Sequence, residues 1–287
     1  MDKRHLTIQQ AIDRLIDSDT SLSRRGPLPS VESVREIISL IKAILFPALL
    51  DVRRYEPNMS RYFTGVNIDL LFSLLVEQIE RSLVMAHGCD NGECDSEVIS
   101  LSFIEALPEI REILMTDVHA MYLNDPAAVS EDEVIFCYPG ANAMMHYRCA
   151  HFLLNAGVPL LPRIITEQAH SLTGIDIHPG AQIDKYFSID HGTGIVIGQT
   201  CHIGKHVQLY QGVTLGARNF TLDQEGHPMN IPRHPTIEDH VTIYSNSSVL
   251  GNITIGHHST IGGNLWISDN IPPHSRIVQG LGRNVGH

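Results

Sequence analysis

Two hydrophobic rhythms divide the chain. Up to about residue 170, aliphatic side chains return every three or four positions, the spacing that lines one face of a helix. In SVESVREIISLIKAILF the stripe is Ile37, Ile38, Leu40, Ile41, Ile44 and Leu45. NIDLLFSLLVEQIERSLVMA, SEVISLSFIEALPEIREILMTDVHAMYL and ANAMMHYRCAHFLLNAG show similar stripes, and the turn-like SRRGPLP, HGCDNGECD and NDPAAVSEDE separate them. Ser33, three residues before Glu36, reads as a capping box at a helix start.

After about residue 174 the period becomes six. Ile177, Ile183, Ile189 and Ile195 are six apart, as are Ile197, Ile203, Leu209 and Leu215, and then Ile237, Ile243, Val249, Ile255, Ile261 and Ile267. Neither a helix nor an ordinary strand repeats in six. A β-helix does: short strands joined by tight turns stack coil on coil, and one aliphatic residue per hexad fills the interior. Such a solenoid makes only local contacts and needs covered ends. The expected covers are the helical half at one end and the tail after Ser268 at the other.

The repeat fails twice. Ile189 and Ile197 are eight apart, with Asp190-His191-Gly192-Thr193-Gly194 between them. Leu215 and Ile237 are 22 apart, so a loop from about Ala217 to Pro232 must leave the coil, and Arg233-His234-Pro235 brings the chain back. Both breaks carry ionisable residues, which a simple bulge does not require. Functional sites are where local rules are broken, and loops on rigid scaffolds carry function.

Composition narrows the partners. Of the 287 residues 43% are hydrophobic, enough for a large core. A formal charge of −12 argues against nucleic acid or an anionic membrane as the main partner. MDKRHLTIQQ lacks the apolar core of a signal peptide, and AILFPALL is far short of a membrane span. A cytoplasmic protein is expected. Five cysteines are too few and too scattered for a disulfide framework.

The run DIHPGAQIDKYFSIDHGTGIVIGQTCHIG, then QGVTLGA and RHPTIED, resembles serine acetyltransferases of the hexapeptide-repeat acyltransferase superfamily. YPGANAMMHYRCAH is similar to the stretch before the β-helix in many bacterial members. The resemblance implies an α+β chain: an all-α N-terminal domain, residues 1–173, then a left-handed parallel β-helix, 174–287, with a protruding loop at 217–234. It implies transfer of acetyl from acetyl-CoA to the hydroxyl of L-serine, the committed step of cysteine synthesis, with no metal.

A serine hydroxyl needs a base to become a nucleophile, and histidine titrates in the useful range. On the resemblance His191 is that base. Asp176 is its orienting carboxylate, 15 residues earlier and so a little under one 18-residue coil away. The ammonium side of serine falls to Asp125 and Asp190, and the carboxylate side to Arg233 and His234; arginine can grip a carboxylate with two parallel hydrogen bonds. Gly216, Ala217 and Ser245 match positions where backbone approaches the pantetheine arm of CoA. The loop GARNFTLDQEGHPMNIP departs from the family's shorter glycine-rich pattern, so the CoA contacts of that loop, Arg218 included, are not carried over.

The resemblance also implies homotrimers, often paired into hexamers, with sites between copies. The chain ends in Gly286-His287, not in the isoleucine that enters O-acetylserine sulfhydrylase in well-studied members, so that complex is not expected. A sugar- or antibiotic-directed acetyltransferase would share the histidine base. A zinc lyase of the carbonic anhydrase kind could draw on His178, His191 and His234, although Arg233 opposes a cation there. Cys89 and Cys94 read as incidental thiols of a polar loop, Cys201 as core, and His257 and His258 as solvated turns. Trp266 reads as packing or as the lining of a subunit contact.

Overall fold

The computed structural model describes residues 3–18, 26–50, 57–87, 95–219 and 222–279. Cys89, Cys94 and the last eight residues lie outside that set. Among the described residues eight helices come first: α1 Lys3–Ser18, α2 Val31–Leu45, α3 Pro47–Leu50, α4 Pro57–His87, α5 Ser96–Asn124, α6 Glu131–Cys137, α7 Pro139–Asn155 and α8 Leu161–Thr173. The stripe read on α2 is its packed face: Val34, Ile37, Ile38, Ile41 and Leu45 are buried. Its start is one turn earlier than the capping box predicts. Ser30 is the N-cap, accepting from the Ser33 amide at 3.2 Å, which leaves Ser33 inside the helix. The apolar stripe fixes the face but not the first turn, and Ser30 and Ser33 compete as caps in the sequence.

From Asp176 onward the chain forms a left-handed parallel β-helix with three faces. The first face stacks β1 Asp176–Ile177, β4 Val196–Ile197, β7 Thr214–Gly216, β10 Ser248–Leu250 and β13 Trp266–Ile267. The second stacks β2 Gln182–Ile183, β5 His202–Ile203, β8 Thr236–Ile237 and β11 Thr254–Ile255. The third stacks β3 Ser188–Asp190, β6 Gln208–Tyr210, β9 Thr242–Ile243, β12 Thr260–Ile261 and β14 Arg276–Ile277. The hexad residues make the internal columns: Ile177, Ile197, Leu215, Val249 and Ile267 align on the first face, and the whole set is buried.

Register locates the breaks. Ile177 pairs with Ile197 and Ile189 with Leu209, so the first coil spans 20 residues. Ile237 pairs with Ile255 and Ile243 with Ile261, coils of 18. The two additional residues belong to the turn after Asp190. Ile203 pairs with Ile237, 34 residues on, because the loop after β7 leaves the wall.

The helical half closes the solenoid by satisfying the open backbone of its first coil, where an uncovered edge would be costly. The Tyr147 hydroxyl donates to the Ala181 carbonyl at 2.6 Å and accepts from the Ile183 amide at 3.2 Å. Arg148 reaches the Ile183 carbonyl and donates to the Asp184 carbonyl at 2.8 Å. Its guanidinium also grips buried Asp117 through Nε at 3.1 Å and Nη2 at 3.0 Å. Asp117 and Thr116 of α5 accept from the Phe187 and Tyr186 amides, both at 3.0 Å. No helix among the described residues is long and apolar enough to cross a membrane.

Candidate active site

The turn between β3 and β4 is the first edge of the solenoid. His191 has a φ of 57° and Gly192 of 95°, so two successive residues adopt the left-handed conformation. Gly192 has a second constraint. A Cβ there would lie 2.5 Å from the Ile175 side chain, so only glycine lets the turn close on the coil below. The turn throws the His191 ring outward, 72% exposed, with Nε2 3.6 Å from the Asp190 carboxylate.

Asp125, the residue that ends α5, meets the same edge. It accepts from the Tyr138 hydroxyl at 2.6 Å and the Ala127 amide at 2.8 Å. These two bonds, Tyr138 first, hold its carboxyl below the usual range, and the charge of His191 adds to the effect. The shared proton pushes the Tyr138 hydroxyl up to about 12, with Asp190 contributing. Tyr210, beside Asp190 in the ladder, is raised chiefly by desolvation, and Asp190 and Asp125 also act on it. Asp125, Asp190 and His191 are thus brought together, with two tyrosines that sequence reasoning left out. Tyr138 stands in the quoted YPG stretch, but nothing in its spacing shows that it turns back onto Asp125.

Asp176 opens β1, directly after the backbone on which the His191 turn rests: the Gly194 amide donates to the Gly174 carbonyl at 2.8 Å. Its carboxylate faces α8, 3.7 Å from the Arg163 guanidinium, and Arg163 also pairs with Glu167 at 2.5 Å. Among the described residues no hydrogen bond joins Asp176 to His191. Stacking makes the two neighbours along the chain path, and a cation from the helical half holds the carboxylate.

Arg233 and His234 lie on the second edge, where β1, β4 and β7 turn toward the second face. There Thr200 organises the end of the long loop. Its hydroxyl accepts from the Arg233 amide at 3.0 Å and the His234 amide at 3.2 Å. Its own amide donates to His234 Nδ1 at 3.1 Å, which leaves the proton on Nε2. Burial, then the Arg233 charge, pushes the His234 imidazole down to about 4. The ring lies where a side chain on Gly198 would be, so the glycine after Ile197 is a steric requirement. Arg233 donates to Gln199 at 2.7 Å and to Asn230 at 3.2 Å. His178 shares this edge and is also lowered to about 4, by burial and then by Arg163, Arg233 and His234.

The positions matched to CoA divide in the same way. Gly216 ends β7 and, with Ala217, sits at the second edge; its carbonyl accepts from the Gly251 amide at 2.9 Å. Ser245 belongs to the first edge, above His191, and its carbonyl accepts from the Asn264 amide at 2.9 Å. Of the three histidines considered for zinc, His178 and His234 share one edge and His191 stands on the other. In the one cluster of three metal-ligating side chains among the described residues, Glu167, His170 and Asp176, both carboxylates are already paired with Arg163. Cys201 is buried, its thiol pushed up to about 12 by desolvation. His258 is exposed but not isolated. Tyr186, His206, His240, His258 and His274 stack along the third edge at 4.4–5.2 Å. Trp266 is 70% exposed on the first face.

The coil architecture with outward ionisable side chains at its turns defines a hexapeptide-repeat transferase, and the bacterial transferase hexapeptide (six repeats) family model matches residues 234–269. A plasmid-encoded serine acetyltransferase of Synechococcus elongatus is 47% identical over 267 residues, 90% of this chain and 84% of that protein. The serine acetyltransferase of Mycobacterium tuberculosis is 43% identical over 59% of this chain and 71% of its own length. Entamoeba histolytica serine acetyltransferase 1, solved with L-cysteine, superposes with a TM-score of 0.75 at 32% identity, covering 93% of this chain and 94% of that one. The Neisseria gonorrhoeae enzyme, solved with serine, gives 0.57 at 25% identity over 85% of this chain and 95% of that one. The chain belongs to the serine acetyltransferase family.

Proposed function

We propose that this chain transfers the acetyl group of acetyl-CoA to the hydroxyl of L-serine, giving O-acetyl-L-serine and CoA for cysteine synthesis. His191 takes the hydroxyl proton as the oxygen attacks the thioester carbonyl. When the tetrahedral intermediate collapses, the C–S bond breaks and the imidazolium returns the proton to the CoA sulfur. Asp125 and Asp190, already beside His191, attract the ammonium of serine. Arg233 and His234 bind its carboxylate, and the neutral His234 offers an Nε2–H donor. Asp176 orients the imidazole once its carboxylate leaves Arg163.

The observation that carries this reading is the division of the residues between two edges. In one copy the acidic set and the Arg233–His234 pair are separated by the first face, on the order of 10 Å for strands of two or three residues. A free amino acid does not bridge that gap. A threefold ring that sets the first edge of one copy against the second edge of the next completes the site. In that ring the first face, with exposed Val196 and Trp266, turns inward. Acetyl-CoA then lies between copies, along Ser245 of one and Gly216 and Ala217 of the next. The trimers, alone or paired into hexamers through the helical domain up to residue 173, work in the cytoplasm.

The test is release of CoA, followed with a thiol reagent. L-serine should support release and sugar acceptors should not; release with a sugar and none with serine would reassign the substrate.

A further inference from the structure

Helices α2, α7 and α8 line a half-open cavity of about 690 Å³ that the proposed acetyl transfer does not use. Its volume is in the range of small-molecule sites, roughly 300–1,000 Å³. Its lining is aliphatic at Ile38, Leu160, Ile164 and Leu172, and polar at Lys42, Asn142 and His146 as well as at Arg35, Arg163 and Glu167.

This polar lining is unfinished. His146 is only 2% exposed, yet a single ring nitrogen is engaged: Nδ1 donates to the Asn142 carbonyl at 2.8 Å. A carbonyl can only accept, so the neutral ring keeps a lone pair on Nε2. Burial, then the nearby charge of Lys42, opposes its protonation. Among the described residues, neither the Lys42 ammonium nor the Asn142 side-chain amide has a hydrogen-bond or ion-pair partner. Lys42 and Asn142 are half-buried, and His146 is the buried member of the set. Here a cation, an amide and a lone pair converge on one space with an aliphatic floor.

We propose that this cavity binds a small aliphatic monocarboxylate bearing a hydroxyl or amino donor beside the carboxylate. Lys42 and Asn142 hold the carboxylate, His146 Nε2 accepts from the donor, and the hydrocarbon lies on Ile38 and Ile164. Arg35 and Arg163 line the cavity too, but each is already paired, with Glu32 and with Glu167. The cavity also reaches the reaction. Arg163 lines it and lies 3.7 Å from Asp176, so occupancy acts through one side chain on the carboxylate assigned to orient His191. That coupling, unlike the site itself, rests on the acetyltransferase reading.

The test is calorimetric titration of the full-length protein with 2-hydroxy-4-methylpentanoate, L-leucine, 4-methylpentanoate and 3-methylbutylamine. The hydroxy acid or leucine should bind saturably, the acid without the donor about tenfold more weakly, and the amine not at all. Lys42→Met and the cavity-filling Ile164→Trp should abolish binding with the fold retained by circular dichroism, and Lys42→Arg should restore it. Arg233→Ala, which damages the serine site, should leave the titration unchanged. No saturable binding of any probe, equal binding of acid and amine, or indifference to Lys42→Met overturns the site. Saturating ligand should change the rate of serine acetylation by about twofold or more, an effect lost in Arg163→Gln. Binding without a rate change overturns the coupling alone. A protein that binds these acids but acetylates no serine overturns the acetyltransferase reading and leaves the site standing.

Discussion

The two edges that flank the first face are built in opposite ways. At the first, a left-handed pair of residues projects His191 into solvent, and its one close partner is Asp190 at 3.6 Å. At the second, Thr200 fixes the Arg233–His234 backbone, Gln199 holds the guanidinium, and burial keeps His234 neutral. One edge leaves its histidine exposed; the other is preorganised. A histidine that must accept and return a proton gains from being exposed and free to move. A histidine that must donate one fixed hydrogen bond gains from being buried and locked. Residue type alone does not separate these roles; their settings do.

The contrast can be broken most severely at the exposed edge. His191→Asn should keep the assembly intact by light scattering and lower kcat on the order of 10²-fold or more, the scale of a lost general base. Arg233→Ala should act chiefly on serine binding, raising KM by about 10- to 100-fold through one charge-assisted contact, with kcat less affected. Mixing the two variants, assayed at serine too dilute for Arg233→Ala alone to turn over, tests whether the edges cooperate across copies. Refolded together, they should recover about a quarter of wild-type turnover, because random pairing in a ring leaves that share of interfaces with both intact edges. No recovery would place the whole site within one copy.

Weaker effects probe the locked edge. Gly198→Ala puts a methyl where the His234 ring lies and should cost about 1–3 kcal/mol, seen as a lower urea midpoint with m unchanged. The smallest effect is in pH. His234 is depressed to about 4 from an ordinary 6.5, so folding favours its neutral form. The stability it contributes is complete above pH 6.5 and is lost as pH falls toward 4. His234→Gln should flatten that part of a Tm–pH curve, and an unchanged slope would move the acid sensitivity elsewhere.

Much of this was legible in the sequence because a solenoid is nearly one-dimensional. The period of six predicted the three columns that begin at Ile177, Ile183 and Ile189, though not the second buried set two residues before them, with Phe187, Ile195, Val207 and Val241, and the spacing of eight between Ile189 and Ile197 predicted the turn that carries His191. The helical half was legible as stripes, but not at its termini, where Ser30 and not Ser33 caps α2. Contacts between helices, and between the two halves, were not legible. Tyr138 reaches Asp125 from 13 positions away, and Arg163 reaches Asp176 across the junction. Tyr147 and Arg148 occur in the quoted stretch with no periodicity to reveal that they close the first coil. Such contacts depend on where a helix lands, which no local pattern encodes.

That closure has a kinetic meaning. The bonds from Thr116 and Asp117 to Tyr186 and Phe187 span 70 residues, whereas each regular coil beyond them closes over 18. The long loop closure falls on the first coil, and every regular coil that follows adds on a template already formed. The first coil is also the one that presents His191. Nucleation on that closed coil would zip the solenoid from its reactive end outward, an order that pulse-labelled hydrogen exchange reads directly: protection of the distal coils first would overturn it.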